Sequence, residues 1–289
     1  MVKKFVYGTP FETEAVVKEI PSSEGNPDYG TFSTENGFSF TTKLADEDMV
    51  FGLGEANRGI NKRGFLYISD CADDPNHVES KTSLYAAHNF IIISGKTHVG
   101  FFFDYPGTLR FDIGYTTSDT MTVSCENADL YVYMITGDSD LDIVKQFRGI
   151  IGRSYIAPKF AFGYGQSRWG YKTEDDFRTV VKKYRENHVP LDMVYMDIDY
   201  MQDYKDFTVN EERFPDFEGF VQDMKKEKIH LVPIIDAGVK VEEGYDIYEE
   251  GCEKGYFCRR EDGSYFEATV WPGWTHFPDV LNADARKWF

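Results

Sequence analysis

Two carboxylates two residues apart open the question of chemistry. In "VYMDIDYMQDYKDFTVNEERFP" (194–215), Asp197 and Asp199 follow an apolar lead-in and stand among tyrosines. Such acids can grip sugar hydroxyls by charge-assisted hydrogen bonds while an aromatic ring covers the apolar sugar face. They could also hold Mg²⁺ or Ca²⁺, which take oxygen ligands, and so serve a metal-dependent phosphoryl transfer. If the chain is still extended there, both acids share one face of a strand. Met196 and Ile198 are poor company for a metal, and no EF-hand-like loop is present, so neither a metal nor another cofactor is expected. The other acids of the stretch, Asp203, Asp206, Glu211 and Glu212, read as a solvated loop face.

Further candidates recur at comparable places. "KFAFGYGQSR" leads to Trp169, "IHLVPIID" ends in Asp236, and the loop "TVWPGWTHFPDVL" carries Trp271 and Trp274. Each has an ordinary structural alternative: an Asp can cap the next turn, and a Trp can fill a core. The six histidines form no H-x-x-x-H or H-E-x-x-H pattern, and no G-x-S-x-G elbow or glycine-rich phosphate loop occurs.

The elements that must position these groups alternate strand and helix from residue 156 onward. A helix opens at Thr173, with Asp176 three residues on and Phe177, Val180, Val181 and Tyr184 at helical spacing. "HVPLDMVYMDID" is the second strand. Asp216 caps the next helix, whose face is Phe217, Phe220, Val221 and Met224. The apolar "IHLVPIID" suits a parallel strand buried on both faces, and Asn282 caps the start of a third helix. Consecutive βα units open both doubly wound sheets and (β/α)8 barrels, and a barrel keeps its chemistry at the C-terminal strand ends.

Before Tyr155 the pattern differs. "GFSFTTKL", "SLYAAHNFIIIS", "HVGFFFDYP", "TMTVSC" and "DLYVYMIT" alternate with turn residues, as in an antiparallel sandwich. Two domains are therefore expected, 1–155 and 156–289. A net charge of −18 with no Lys/Arg cluster argues against nucleic acid as a partner. No apolar run approaches membrane-span length. Four cysteines without a C-x-x-C pair, behind a start that lacks a signal-peptide core, suggest free thiols and a cytoplasmic location.

The long motif goes further. "DMVYMDIDYMQDYKDFTVNEERFPD" closely resembles the second barrel-strand motif of glycoside hydrolase family 31, the α-glucosidases and relatives. "FGLGEANRGINKRG", "GKTHVGFFFDYPG", "FAFGYGQSRWGYKTEDD" and "LVPIIDAGV" resemble other pieces of that family in the same order. The resemblance implies an α+β multidomain chain. An N-terminal antiparallel β-sandwich would precede the first three βα units of an incomplete (β/α)8 TIM barrel. It also implies retaining hydrolysis of terminal α-linked glucose, which needs two close carboxylates.

Carried over by motif, Asp197 looks like the residue that grips the outer glucose hydroxyls. Ile198, Ile234, Asp236 and Trp271 look like the rest of the pocket wall, and Trp169 stands where relatives often carry Tyr. A sandwich loop, "YISDCADDPN", offers Asp70, Asp73 or Asp74, with Asp73 preferred. The family's nucleophile motif, on the fourth barrel strand, and its later acid/base are not in this sequence. The expectation is thus the N-terminal part of an α-glucosidase, inactive by itself and short of the rest of its barrel. Its substrate would be an α-gluco-oligosaccharide, and a homo-oligomer is compatible with the sequence without being specified by it. The competing readings are a non-catalytic carbohydrate-binding protein that keeps the pocket wall, an α-xylosidase of the same family, and the metal-dependent phosphoryl-transfer domain.

Overall fold

The computed structural model describes residues 1–289, which fall into two compact units, Met1–Tyr155 and Ile156–Phe289. The first is a sandwich of two five-stranded antiparallel sheets. Its strands are β1 (Val2–Tyr7), β2 (Thr31–Ser33), β3 (Phe38–Lys43), β4 (Met49–Gly52), β5 (Phe65–Ser69), β6 (Phe90–Ser94), β7 (His98–Asp104), β8 (Leu109–Ile113), β9 (Thr120–Cys125) and β10 (Leu130–Gly137). The sheets run β1-β10-β7-β6-β4 and β2-β3-β9-β8-β5.

Period-two patterning explains the core. Phe38 and Phe40 of β3, Phe101 and Phe103 of β7, and Phe111 of β8 all turn inward and are buried. The opposite face of the first sheet is apolar too, through Ile92, Tyr133 and Ile135. Helix α1 (Asp140–Ile151) covers it with Ile143 and Ile150. Phe147 of this helix stacks on Phe90 at 3.9 Å between ring centroids. Ser139 caps α1 by accepting the Asp142 N–H. Gly100 sits under Ile143, where a Cβ would come within 2.5 Å of its Cγ2. The five segments that read as strands each contain one. β1, β2, β4, β5, β8 and α1 were not legible. β8, "LRFDI", carries Arg110 and Asp112 and looks like a turn, yet three of its residues are fully packed.

The second unit holds three parallel strands in the order β11-β12-β13: Gly165–Gln166, Met193–Met196 and His230–Pro233. Helix α2 (Glu174–Glu186) joins the first pair and α3 (Phe217–Lys226) the second. Val194 and Met196 of β12 pack with Phe177 and Val181 of α2 and Phe220 and Met224 of α3. Tyr195, one residue out of phase, is on the other face and partly exposed. The capping box at Thr173 and Asp176 is complete, and Asp216 and Asn282 cap their helices as expected.

Three expectations are corrected. "KFAFGYGQSR" is extended only at Gly165–Gln166; Lys159–Phe162 forms a 3₁₀ turn, and Phe162 and Tyr164 are exposed. The third strand is not buried on both faces. It is an edge of this sheet, and Leu231 and Val232 are half-buried. The chain between that strand and the last helix is structured. β14 (Val239–Lys240), helix α4 (Asp246–Lys254), β15 (Glu267–Val270) and β16 (Gly273–His276) come before α5 (Ala283–Trp288). The small antiparallel sheet runs β14-β16-β15, so the tryptophan-bearing loop is a hairpin. Val239, Tyr245 and Phe257 give it a core of its own.

Candidate functional site

β12 ends at Met196, and the chain turns at once. Asp197 starts a 3₁₀ turn over Ile198–Tyr200, and its Oδ1 accepts the Ile198 N–H at 2.7 Å. Asp197 and Asp199 therefore do not share a strand face. Asp199 points into the protein, where Arg213 Nη1 donates to its Oδ1 at 3.0 Å and to its carbonyl at 2.8 Å. That split removes the paired-acid geometry that a metal-dependent phosphoryl transfer would need. No cluster of three or more His, Cys, Asp or Glu side chains gathers anywhere to hold a metal. Asp197 keeps its second oxygen uncommitted at the strand end.

β13 lies beside β12 in register, Met196 opposite Pro233. Pro233 has no N–H and marks the end of the regular ladder. One more bond extends the pairing, from the Ile234 N–H to the Met196 carbonyl at 2.9 Å. The Tyr200 hydroxyl then donates to the Ile234 carbonyl at 2.9 Å. Asp197, Ile198, Ile234 and Asp236 are thus brought together at two neighbouring strand ends. Ile198 is buried and Ile234 is 37% exposed. Burial raises the Asp236 carboxyl above its ordinary range, and the Asp197 carboxylate adds to the shift.

The hairpin is anchored close to Asp236. β14 pairs with β16, and a Cβ on Gly238 would lie 2.8 Å from Val270 Cγ2. That close approach favours glycine and brings Val270, the last residue before the hairpin turn, against Gly238, two residues along the chain from Asp236. Trp271 sits in the turn, which closes through Gly273 at φ 102°. Trp271 is 68% exposed and Trp274, on β16, 63%. Neither indole fills a core. Trp169 follows β11 at the same end of the sheet and is 65% exposed, with Lys172 Nζ 5.2 Å from its ring centroid. No hydrogen bond or ring contact ties it to the Asp197–Asp236 group.

Asp73 belongs to the first unit, on the loop between β5 and β6, where it and Asp70 are exposed. Asp74 is engaged instead. Lys81 pairs with it and holds its carboxyl below the usual range, and the Asn76 N–H donates to it at 2.9 Å.

One acid was misjudged. Asp206 is 1% exposed, where a solvated loop face was expected. Its Oδ1 accepts the Asp236 N–H at 3.2 Å, and its Oδ2 is buried without a partner. The Tyr245 hydroxyl donates to its carbonyl at 2.8 Å. Burial pushes its carboxyl up to about 7, against the pull of the Asp236 N–H and with the Asp236 charge adding to the rise. Nothing in "QDYKDFTVN" separates Asp206 from Asp203 by pattern; the flanking Phe207 and Tyr204 were the available hint of an ordered loop.

A β-sandwich followed by βα units with acids and indoles at their strand ends suits more than one class of protein that handles sugars. Comparison with known families decides among them. Residues 154–289 match the glycosyl hydrolases family 31 TIM-barrel domain, and residues 10–112 match the glycosyl hydrolase 31 N-terminal galactose mutarotase-like domain. The chain belongs to glycoside hydrolase family 31.

Among its relatives, α-glucosidase 2 of Bacillus thermoamyloliquefaciens is 36% identical over 86% of this chain and 32% of its own length. The α-glucosidase of Saccharolobus solfataricus is 27% identical over the whole chain and 42% of its own length. A crystal structure of the glucosidase II alpha subunit, in an alpha3-Glc2-bound form, superposes with a TM-score of 0.78 at 25% identity. It covers 87% of this chain and 30% of that one. The chain therefore spans roughly a third of the length of such relatives.

Proposed function

We propose that residues 1–289 supply the sugar-gripping wall of a retaining α-glucosidase that removes terminal α-linked glucose from oligosaccharides. The observation that carries this reading is the convergence of Asp197, Ile198, Ile234 and Asp236 at the ends of β12 and β13. Carboxylates there can accept hydrogen bonds from adjacent sugar hydroxyls, and the Ile side chains shape the pocket. Exposed Trp169, just beyond β11, and exposed Trp271, in the hairpin turn, offer flat apolar faces to a ring.

In this reading Asp197 binds and does not attack. Retention needs two carboxyl groups about 5 Å apart flanking the scissile bond. Asp199, the nearest acid in sequence, is spent on Arg213. The attacking and acid/base carboxylates are accordingly assigned outside residues 1–289. All four cysteines are unpaired, which supports a reducing, cytoplasmic setting.

The test compares the purified 1–289 polypeptide with the complete gene product on p-nitrophenyl α-glucoside. The complete protein should turn over with retention of configuration and the segment should not. Turnover by the segment would refute the assignment of the catalytic acids. Glucose binding without turnover by the complete protein would favour a non-catalytic carbohydrate-binding protein. Faster cleavage of the α-xyloside than the α-glucoside would favour an α-xylosidase.

A further inference from the structure

We propose that Asp206 is a positioning residue for this site: its buried carboxyl fixes the main chain of Asp236, and with it the Ile234–Asp236 wall. The inference rests on the sugar-binding reading above. It comes from three observations about one side chain.

The first is connectivity. Asp206 joins segments that are distant in sequence. Its carboxyl takes the Asp236 N–H, thirty residues on, and its carbonyl takes the Tyr245 hydroxyl at the start of α4. Lys205, its neighbour, bonds Glu242 at 2.7 Å. The Tyr200 hydroxyl holds the Ile234 carbonyl from the other side of the same wall. Asp236 thus has its main chain tied to Asp206 while its carboxyl feels the Asp197 charge.

The second is strain. Asp203, Tyr204 and Phe207 all adopt positive φ, at 51°, 59° and 60°. Non-glycine residues pay for that conformation and keep it where surrounding contacts over-determine it. The loop is bent around Asp206 so that its carboxyl reaches inward.

The third is the bare oxygen. Oδ2 of Asp206 is buried with no partner. An anion in that position is costly, and a neutral acid is tolerated. The charged groups that face it are few. The Asp236 charge acts on it, and the Asp197 charge acts in turn on Asp236. Lys205 is occupied by Glu242, which also pairs with Lys240. Tyr200 and Tyr245 are held neutral by burial. Protonated, Asp206 supports Asp236. Once ionised, it accepts the Asp236 N–H more strongly but sets a second negative charge against the Asp236 carboxylate, and that repulsion should weaken the grip on the sugar.

The test uses the complete gene product as wild type, Asp206→Asn and Asp206→Ala. Glucose affinity is measured by calorimetry at about pH 6 and about pH 8, and protection of the Asp236 amide is measured by hydrogen exchange. Wild type should bind glucose several-fold more weakly at the higher pH, because its carboxyl ionises near 7. Asp206→Asn keeps an acceptor for the Asp236 N–H and cannot ionise, so its affinity should match wild type at the lower pH and stay flat. Asp206→Ala should lose roughly tenfold in affinity, the cost of one buried hydrogen bond, and expose the Asp236 amide to faster exchange.

A wild-type pH slope in Asp206→Asn would overturn the proposal, as would unchanged exchange at Asp236 in Asp206→Ala. If wild type binds no glucose at either pH, the sugar reading fails. The exchange measurement still decides whether Asp206 holds Asp236.

Discussion

Arg213 clamps Asp199 twice, through the carboxylate at 3.0 Å and the carbonyl at 2.8 Å, and so fixes the turn that follows β12. The pair turns one member of the Asp197–Asp199 motif into scaffold and leaves the other for ligand. Removing the arginine strands a carboxylate that is almost wholly buried. Arg213→Met should therefore cost about 3 kcal/mol in urea unfolding of the complete protein. A change within 0.5 kcal/mol would show that the clamp contributes nothing.

The two aspartates should separate by assay. Asp197→Ala should raise the glucose dissociation constant more than about tenfold, with the melting temperature lowered only by the loss of its bond to the Ile198 N–H, since its other oxygen is free at the strand end. Asp199→Ala should lower the melting temperature first. Equal effects on binding from both would contradict the division of labour.

Stability should also carry the signature of Asp206. Its folded-state value, about 7, lies above the ordinary 3.8. The folded state then holds the proton more tightly, so the contribution is complete below about pH 4 and is lost as pH rises through 7. At most about 4 kcal/mol is involved. Denaturation midpoints between pH 4 and 8 should fall less steeply in Asp206→Asn than in wild type; parallel curves would exclude the effect.

Gly238 supports the hairpin by close approach. An alanine Cβ there would press within 2.8 Å of Val270. Gly238→Ala should shift the Trp271 turn and weaken glucose binding several-fold, while the cooperative melt is preserved. Wild-type affinity would mean that the hairpin position is irrelevant to the site.

Trp169 is free of core duty, so its replacement tests specificity alone. Trp169→Tyr in the complete protein should leave the melting temperature within about 1 °C and change the ratio of rates on maltose and isomaltose. An unchanged ratio would remove Trp169 from the pocket rim.

The residues show where local pattern suffices and where it does not. Helices α2 and α3 announced themselves because their faces repeat at helical spacing and Thr173, Asp176 and Asp216 are cap residues whose bonds are local. The "DIDYM" motif likewise pointed to Asp197. Strands such as β8 were hidden because Arg110 and Asp112 sit in a packed ladder between the neighbouring β9 and the remote β5.

The sequence alone determined the family, the order of sandwich and βα units, and the acids and indoles available for a sugar. Tertiary structure decided which acid does what. Asp199 and Asp206 read like their neighbours, because burial and charge pairing are set by contacts across the fold. Arg213, fourteen residues away, takes one inward, and the Asp236 amide and Tyr245, thirty and thirty-nine residues away, enclose the other.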